Sequence, residues 1–125
     1  MKRNHVFLIA ALIVLLDQTT KYIAKNNFNY TTNTGAAFGI LQQYTNILIL
    51  ISMIVAIALI YYIRKYPFVE LGFLLGGTLG NLIDRIILGY VVDFINVGWW
   101  PSFNIADSFN TIGAILLAIR WMKKD

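Results

Sequence analysis

Apolar positions fall into four long runs separated by short polar clusters. Val6 to Leu16 is unbroken apolar sequence, and a helical pattern continues through Asp17, Gln18 and Lys21 to about Lys25. The spacing predicts a first helix over 5–25, long enough for the roughly 20 residues that a membrane span needs. No small-x-small cleavage site follows the run, so it reads as a retained helix and not as a removed leader. The second run, Tyr44 to Ile63, is closed by Arg64, Lys65, Tyr66 and Pro67. The third, Phe68 to Leu88, ends at Gly89, a natural C-terminal cap. The fourth, Ile105 to Met122, can be capped by Ser102 or Asn104 and is followed by Lys123, Lys124 and Asp125. Gly72, Gly76 and Gly80 repeat every fourth residue of the third run. Such a ladder bares backbone to a neighbouring helix; packing is its default meaning, with direct substrate contact as the alternative.

The segments between the runs are different in kind. Asn26 to Gln43 is polar and turn-rich, with Phe28 to Thr32 as a short extended piece. Gly35 and Gly39 imply tight backbone there, and Gly39-Ile40-Leu41 can dip back toward the membrane surface. Tyr90 to Val97 is rich in β-branched and aromatic residues and reads as extended. Gly98 to Ser102 is a turn whose Trp99 and Trp100 suit a membrane–water interface. No internal repeat and no low-complexity linker is evident.

Composition turns these runs into membrane spans. Of 125 residues, 58% are hydrophobic and 13% charged, with a mean hydropathy of +0.67. A soluble domain of this size cannot hide that much apolar surface, so the bilayer serves as solvent. The net charge of +4 is not a nucleic-acid signature, because the basic residues cluster at the ends of apolar runs. With the N-terminus inside, seven basic residues (Lys2, Arg3, Arg64, Lys65, Arg120, Lys123 and Lys124) lie on the cytoplasmic side. Three, Lys21, Lys25 and Arg85, lie toward the outside. That asymmetry puts both termini in the cytoplasm. The expected fold is an all-α membrane protein: four transmembrane helices, a small extracellular β/loop element, and one domain over residues 1–125. There is no cysteine, which excludes disulfides, zinc–thiolate sites and cysteine nucleophiles. The single histidine, His5, sits in the charged N-terminal tip, away from any plausible triad.

The polar residues that remain are concentrated in Gly76–Asp107. Asn81, Asp84 and Arg85 share one face near the outer end of the third helix. Asn104 and Asp107 share a face at the start of the fourth, and Asp93 lies between. Asp17 and Lys21, four residues apart, come to the same depth from the first helix. Two carboxylates at one water-accessible site can divide peptide hydrolysis: one takes a proton from water, the other supports the carbonyl oxygen and helps the amine leave. Spacing alone leaves alternatives. Paired acids also serve proton-coupled transporters, a glycine ladder also serves a non-catalytic assembly factor, and Asp84 beside Arg85 also suits an internal salt bridge. A transporter, however, tends to carry its acids at mid-membrane and often shows repeat symmetry, whereas these acids gather at one end. Lys21 reads as snorkelling or pairing with Asp17.

The sequence resembles the lipoprotein signal peptidases, or signal peptidase II, a bacterial family of four-helix aspartyl endopeptidases. The resemblance rests on DQTTK (Asp17–Lys21), NTGAAFGIL (Asn33–Leu41), GGTLGNLIDR (Gly76–Arg85), GYVVDFI (Gly89–Ile95) and FNIADS (Phe103–Ser108), in that order. It implies that Asp93 and Asp107 are the catalytic dyad. It further implies that Asn33, Asn81, Arg85 and Asn104 line the site and hold substrate, and that Asp17 and Asp84 support its structure. Neither a metal nor another cofactor is implied. The implied partners are diacylglyceryl-modified prolipoproteins, cut just before the lipidated cysteine, and membrane lipids. The implied setting is the bacterial inner (cytoplasmic) membrane, with a monomeric enzyme working at its outer face. Family members carry a longer segment, with a sizeable β element, between the first two blocks. Here only Tyr22 to Thr32 separates them, so a reduced outer β element is expected.

Overall fold

A computed structural model describes residues 1–36 and 40–124. The chain forms α1 (Arg3–Asn27), β1 (Thr31–Asn33), α2 (Thr45–Lys65), α3 (Val69–Leu88), β2 (Val91–Asp93) and α4 (Ile105–Met122). α3 packs against all three other helices. Its glycine ladder explains the close approach of α1, because each glycine of the ladder faces that helix. A Cβ at Gly72 would stand 2.9 Å from the Val6 carbonyl oxygen, at Gly76 2.7 Å from the Ile13 Cβ, and at Gly80 2.6 Å from an Asp17 carboxylate oxygen. The packing reading of the ladder therefore holds.

The two ends of the bundle are built differently. At the end that carries both termini, Val6, Ala10, Ala56, Ile63, Leu71 and Leu75 form an apolar core. There the buried Glu70 of α3 is clasped by Arg120 of α4, which bonds it through Nε and Nη2 and lies over the Phe68 ring at 3.9 Å. At the other end the interior is polar. Leu8, Leu12 and Leu15 of α1 and Leu50, Ile54 and Ile57 of α2 point outward. α1, α2 and α3 are long and apolar enough to cross a membrane, and an outward apolar band is what a hydrocarbon solvent requires. α4, with Asp107 near one end and Arg120 near the other, is not counted with them by the same measure. The chain is a multi-pass membrane protein.

The β element is smaller and shifted relative to the expectation. β1 and β2 pair antiparallel, Thr31 opposite Asp93, Thr32 opposite Val92 and Asn33 opposite Val91. The extended piece begins at Thr31 and not at Phe28. α1 runs on to Asn27 because Asn26 and Asn27 turn their amides back onto the Tyr22 and Ile23 carbonyls. Of Tyr90–Val97 only Val91–Asp93 is strand; Ile95 then bridges Phe103 across the Gly98 turn. Gly89 takes the left-handed conformation (φ 81°) and caps α3, which only glycine does without strain. The reading of Gly39 as a dip toward the membrane, like the centre of the NTGAAFGIL block, lies outside the described residues.

Candidate active site

The polar end is assembled from five elements, α1, β1, α3, β2 and α4, around Asn104. This residue is fully buried and caps α4, accepting a hydrogen bond from the Asp107 backbone N–H at 2.8 Å. Asp107 returns the bond, accepting from the Asn104 N–H at 3.2 Å, which completes a capping box. Of the two candidate caps, Asn104 and not Ser102 is used. The Asn104 amide nitrogen then donates to Asp93 Oδ1 at 2.9 Å and to Asn81 Oδ1 at 3.0 Å. Asn81 in turn donates to Asp107 Oδ1 at 2.9 Å. Asp93 and Asp107, fourteen positions apart in sequence, are thus joined through two asparagines.

β pairing delivers the remaining partner. Because Thr31 stands opposite Asp93, Asn33 reaches the same carboxylate from β1, donating to Oδ2 at 3.3 Å. Asn33 also organises its own loop: its side-chain oxygen Oδ1 accepts from the Gly35 N–H at 2.9 Å and from Gln42 Nε2 at 2.8 Å. Asp93 is buried, and burial is the largest cause that pushes its carboxyl up, to about 7; the nearby charge of Asp107 is the next. Hydrogen bonds from Asn33 and Asn104 and the charge of Lys21 act in the opposite direction. Asp107 is half-buried and borders a cavity of about 560 Å³ that Trp100, Phe103, Ser108, Asn110 and Thr111 also line.

Asp17 and Asp84 form a second layer. Both are buried, and both bind the buried Lys21 ammonium, at 2.7 and 3.1 Å. Each also grips backbone: Asp17 accepts from the Ala106 N–H at 2.8 Å, and Asp84 from the Val92 N–H at 3.0 Å. Lys21 therefore pairs and does not snorkel. An ion pair between Asp84 and Arg85 is not formed among the described residues, since Asp84 turns to Lys21. Arg85 instead reaches the Gly35 carbonyl at 3.3 Å and Ser52 Oγ at 3.4 Å, and its buried Nε has no partner among the described residues. Of the residues singled out in the sequence, Asn33, Asn81, Asp93, Asn104 and Asp107 form one network. Asp17 and Asp84 stand behind it, and Arg85 stands beside it, bonded to neither aspartate of the pair.

Two participants escaped the sequence reading. Gln18 donates to the Gly80 carbonyl and to Asp84 Oδ1, both at 3.0 Å, tying α1 to α3. Its place directly after Asp17 and three residues before Lys21, on an otherwise apolar helix, was the available signal. Gln42 holds the Asn33 loop, bonded to Asn33 and accepting from Thr34 Oγ1 at 2.6 Å; nothing in its sequence setting distinguishes it. Three histidine, cysteine or acidic side chains do not converge as a metal-binding group among the described residues.

Comparisons with known proteins agree in kind. Residues 9–123 match the family model described as signal peptidase (SPase) II. The lipoprotein signal peptidase of Caldanaerobacter subterraneus subsp. tengcongensis is 45% identical, over 87% of this chain and 90% of that protein. That of Clostridium novyi is 43% identical, over 90% and 93%. Among solved structures, a bacterial membrane enzyme determined at 2.3 Å superposes with a TM-score of 0.88 at 36% identity, covering 96% of this chain and 88% of the other.

Proposed function

The chain belongs to the signal peptidase II family of membrane peptidases, and from that premise we propose that it removes signal peptides from diacylglyceryl-modified prolipoproteins by aspartyl chemistry. Asp93 and Asp107 are the dyad, and cleavage falls just before the lipidated cysteine. The observation that carries this reading is the Asn104 bridge, which ties Asp93 to Asp107 beside the cavity that Asp107 borders.

One proton is shared by the pair, and in this reading Asp93, pushed up to about 7 by burial and then by the charge of Asp107, carries it in the resting state. Asp107 takes a proton from water as its oxygen attacks the scissile carbonyl carbon. Asp93 gives its proton to the carbonyl oxygen, forming a tetrahedral diol. As the carbon–nitrogen bond breaks, Asp107 passes its proton to the departing amine and Asp93 regains one from the diol hydroxyl. The products are the signal peptide with a new carboxyl end and the lipidated cysteine with a free amine. Asn33, Asn81, Asn104 and Arg85 line the site and hold the substrate backbone, and the three asparagines also bond the dyad. No metal or other cofactor takes part.

α4 acts as the fourth span, both termini are cytoplasmic, and the monomeric enzyme works at the outer face of the bacterial cell membrane. There a lipid-anchored cysteine brings its scissile bond level with the aspartates. The decisive experiment is a gel-shift assay on a lipidated precursor with wild type, Asp93→Asn and Asp107→Asn, all three accumulating in the membrane. Processing by wild type alone is expected, with losses of at least about 10³-fold in each variant. Full cleavage by either variant overturns the dyad.

A further inference from the structure

Lys21 is the feature that the proposed chemistry leaves without a task. It is a buried ammonium, 2% exposed, on a helix that contributes no dyad member. A lysine so placed is costly unless each of its three donors finds an acceptor. They do: Asp17 Oδ2 at 2.7 Å, Asp84 Oδ2 at 3.1 Å and Asn81 Oδ1 at 3.1 Å, with the Gly80 carbonyl further off at 3.4 Å.

Each acceptor leads to a dyad residue by a single further step. Asp17 holds the N–H of Ala106, the residue before Asp107. Asp84 holds the N–H of Val92, the residue before Asp93. Asn81 donates to Asp107 itself. The third link also fixes direction. An ammonium only donates, so the Asn81 oxygen must face it, and the Asn81 amide nitrogen is thereby turned to the Asp107 carboxylate. With its oxygen so placed, Asn81 accepts from Asn104, whose nitrogen also donates to Asp93. Lys21 and Asn104 thus hold the Asn81 oxygen from two sides, and loss of Lys21 removes one of the two donors that keep its amide nitrogen on Asp107.

We propose that Lys21 is a positioning residue for the dyad: its ammonium sets the backbone on which Asp93 and Asp107 stand, orients Asn81 toward Asp107, and supplies positive charge to a pair that must hold one negative charge. The inference rests on the assignment of Asp93 and Asp107 as the dyad. The charged groups facing Asp93 are Asp107 from α4, Lys21 from α1 and Arg85 from α3. Of the two cations, Lys21 is the one tied by hydrogen bonds to the dyad's own supports. Arg85 bonds to the Asn33 loop and to α2.

The test is the pH dependence of precursor cleavage by the full-length enzyme. Lys21→Met keeps an unbranched apolar stem one atom shorter than that of lysine and removes the charge. Lys21→Met combined with Asp84→Asn also removes one of the two carboxylates left behind, while the amide oxygen can still accept from Val92. Loss of a positive charge disfavours the anionic forms of the pair, so both limbs of the pH–rate curve are expected to move toward higher pH, by about one unit. Turnover is expected to fall about 10²-fold at pH 7 with little change in KM. A lysine that merely stabilises the fold would lower the transition temperature and leave the shape of the pH profile unchanged, and that result overturns the proposal. So does failure of both variants to accumulate in the membrane, which would make Lys21 a folding element. Asp93→Asn and Asp107→Asn run in the same assay. If either cleaves, the dyad reading is what has failed. If both are inactive and the lysine variants keep the wild-type profile, only the role of Lys21 has failed.

Discussion

Each end of the bundle buries acidic side chains between α3 and its neighbours, but the charges balance at one end and not at the other. At the end carrying the termini one carboxylate, Glu70, meets one guanidinium, Arg120, whose side chain is 43% exposed. The pair is complete, and its cation reaches water. At the site end four carboxylates, Asp17, Asp84, Asp93 and Asp107, face two cations, Lys21 and Arg85. A buried carboxylate without a counter-charge is unstable unless it takes a proton. The first arrangement is a clamp. The second keeps a proton in play, and Asp93, pushed up to about 7, is where that imbalance becomes visible.

The sharpest way to break this comparison is to remove the hub of the site end. Asn104→Ala takes a side-chain partner from Asp93, from Asn81 and from the Asp107 backbone N–H at once, while the Asn104 N–H still reaches the Asp107 carboxylate. Its helix-capping role is worth only about 1 kcal/mol, so folding should survive, whereas the cleavage rate should fall about 10³-fold. A variant that keeps near-normal cleavage would show that the asparagine bridge does not organise the pair. A subtler contrast uses one substitution at both ends of the glycine ladder. Gly72→Ala and Gly80→Ala each crowd α1, at 2.9 and 2.6 Å, and each should lower stability by about 1–3 kcal/mol. Only Gly80→Ala presses on Asp17, which holds the backbone before Asp107. It should lower the cleavage rate about 10²-fold, against less than about twofold for Gly72→Ala below its melting transition. Equal rate losses at the two positions would mean that the ends are mechanically coupled and the comparison is too simple.

These contrasts also indicate what the sequence could and could not say. The four helices were legible because apolar runs and their charged or glycine ends are local signals, and the cap of α4 was narrowed to Ser102 or Asn104, of which the structure uses Asn104. Helix ends were less so: α1 spans Arg3–Asn27 against an expected 5–25, because terminal polar residues continue a helix as readily as they stop it. The strands have three residues each, too few to show a period, and their register depends on residues about sixty positions apart. The same distance hid the second partner of Lys21. Asp17, one turn away, was visible; Asp84, on a different helix, was not. The residues that resemblance assigned to the site do converge, but which of them touch is a matter of tertiary structure. Asp84 was read beside Arg85 in sequence, yet it belongs with Lys21.

The smallest expected effect tests the charge imbalance most directly, because it predicts opposite signs at the two ends. Asp93 binds its proton more tightly in the folded chain than at its ordinary value of 3.8. Its contribution to stability is therefore present below about pH 4 and lost as pH rises through about 7. Above pH 7 the folded enzyme must keep an unwanted buried anion beside Asp107. Asp93→Asn removes that anion and its oxygen can still accept from Asn104, at the loss of the weaker 3.3 Å bond that Asn33 donates to the second carboxylate oxygen. At pH 8 this variant should melt roughly 2–5 °C above wild type in detergent, and the advantage should shrink as pH falls through 7 and vanish only toward pH 4, where Asp93 is protonated in the folded and the unfolded chain alike. Glu70→Gln should do the reverse, melting a few degrees below wild type at pH 8 while cleaving precursor normally, because it strips Arg120 of its partner. If both variants shift in the same direction, the site end is only a second clamp and the proton on Asp93 needs another explanation.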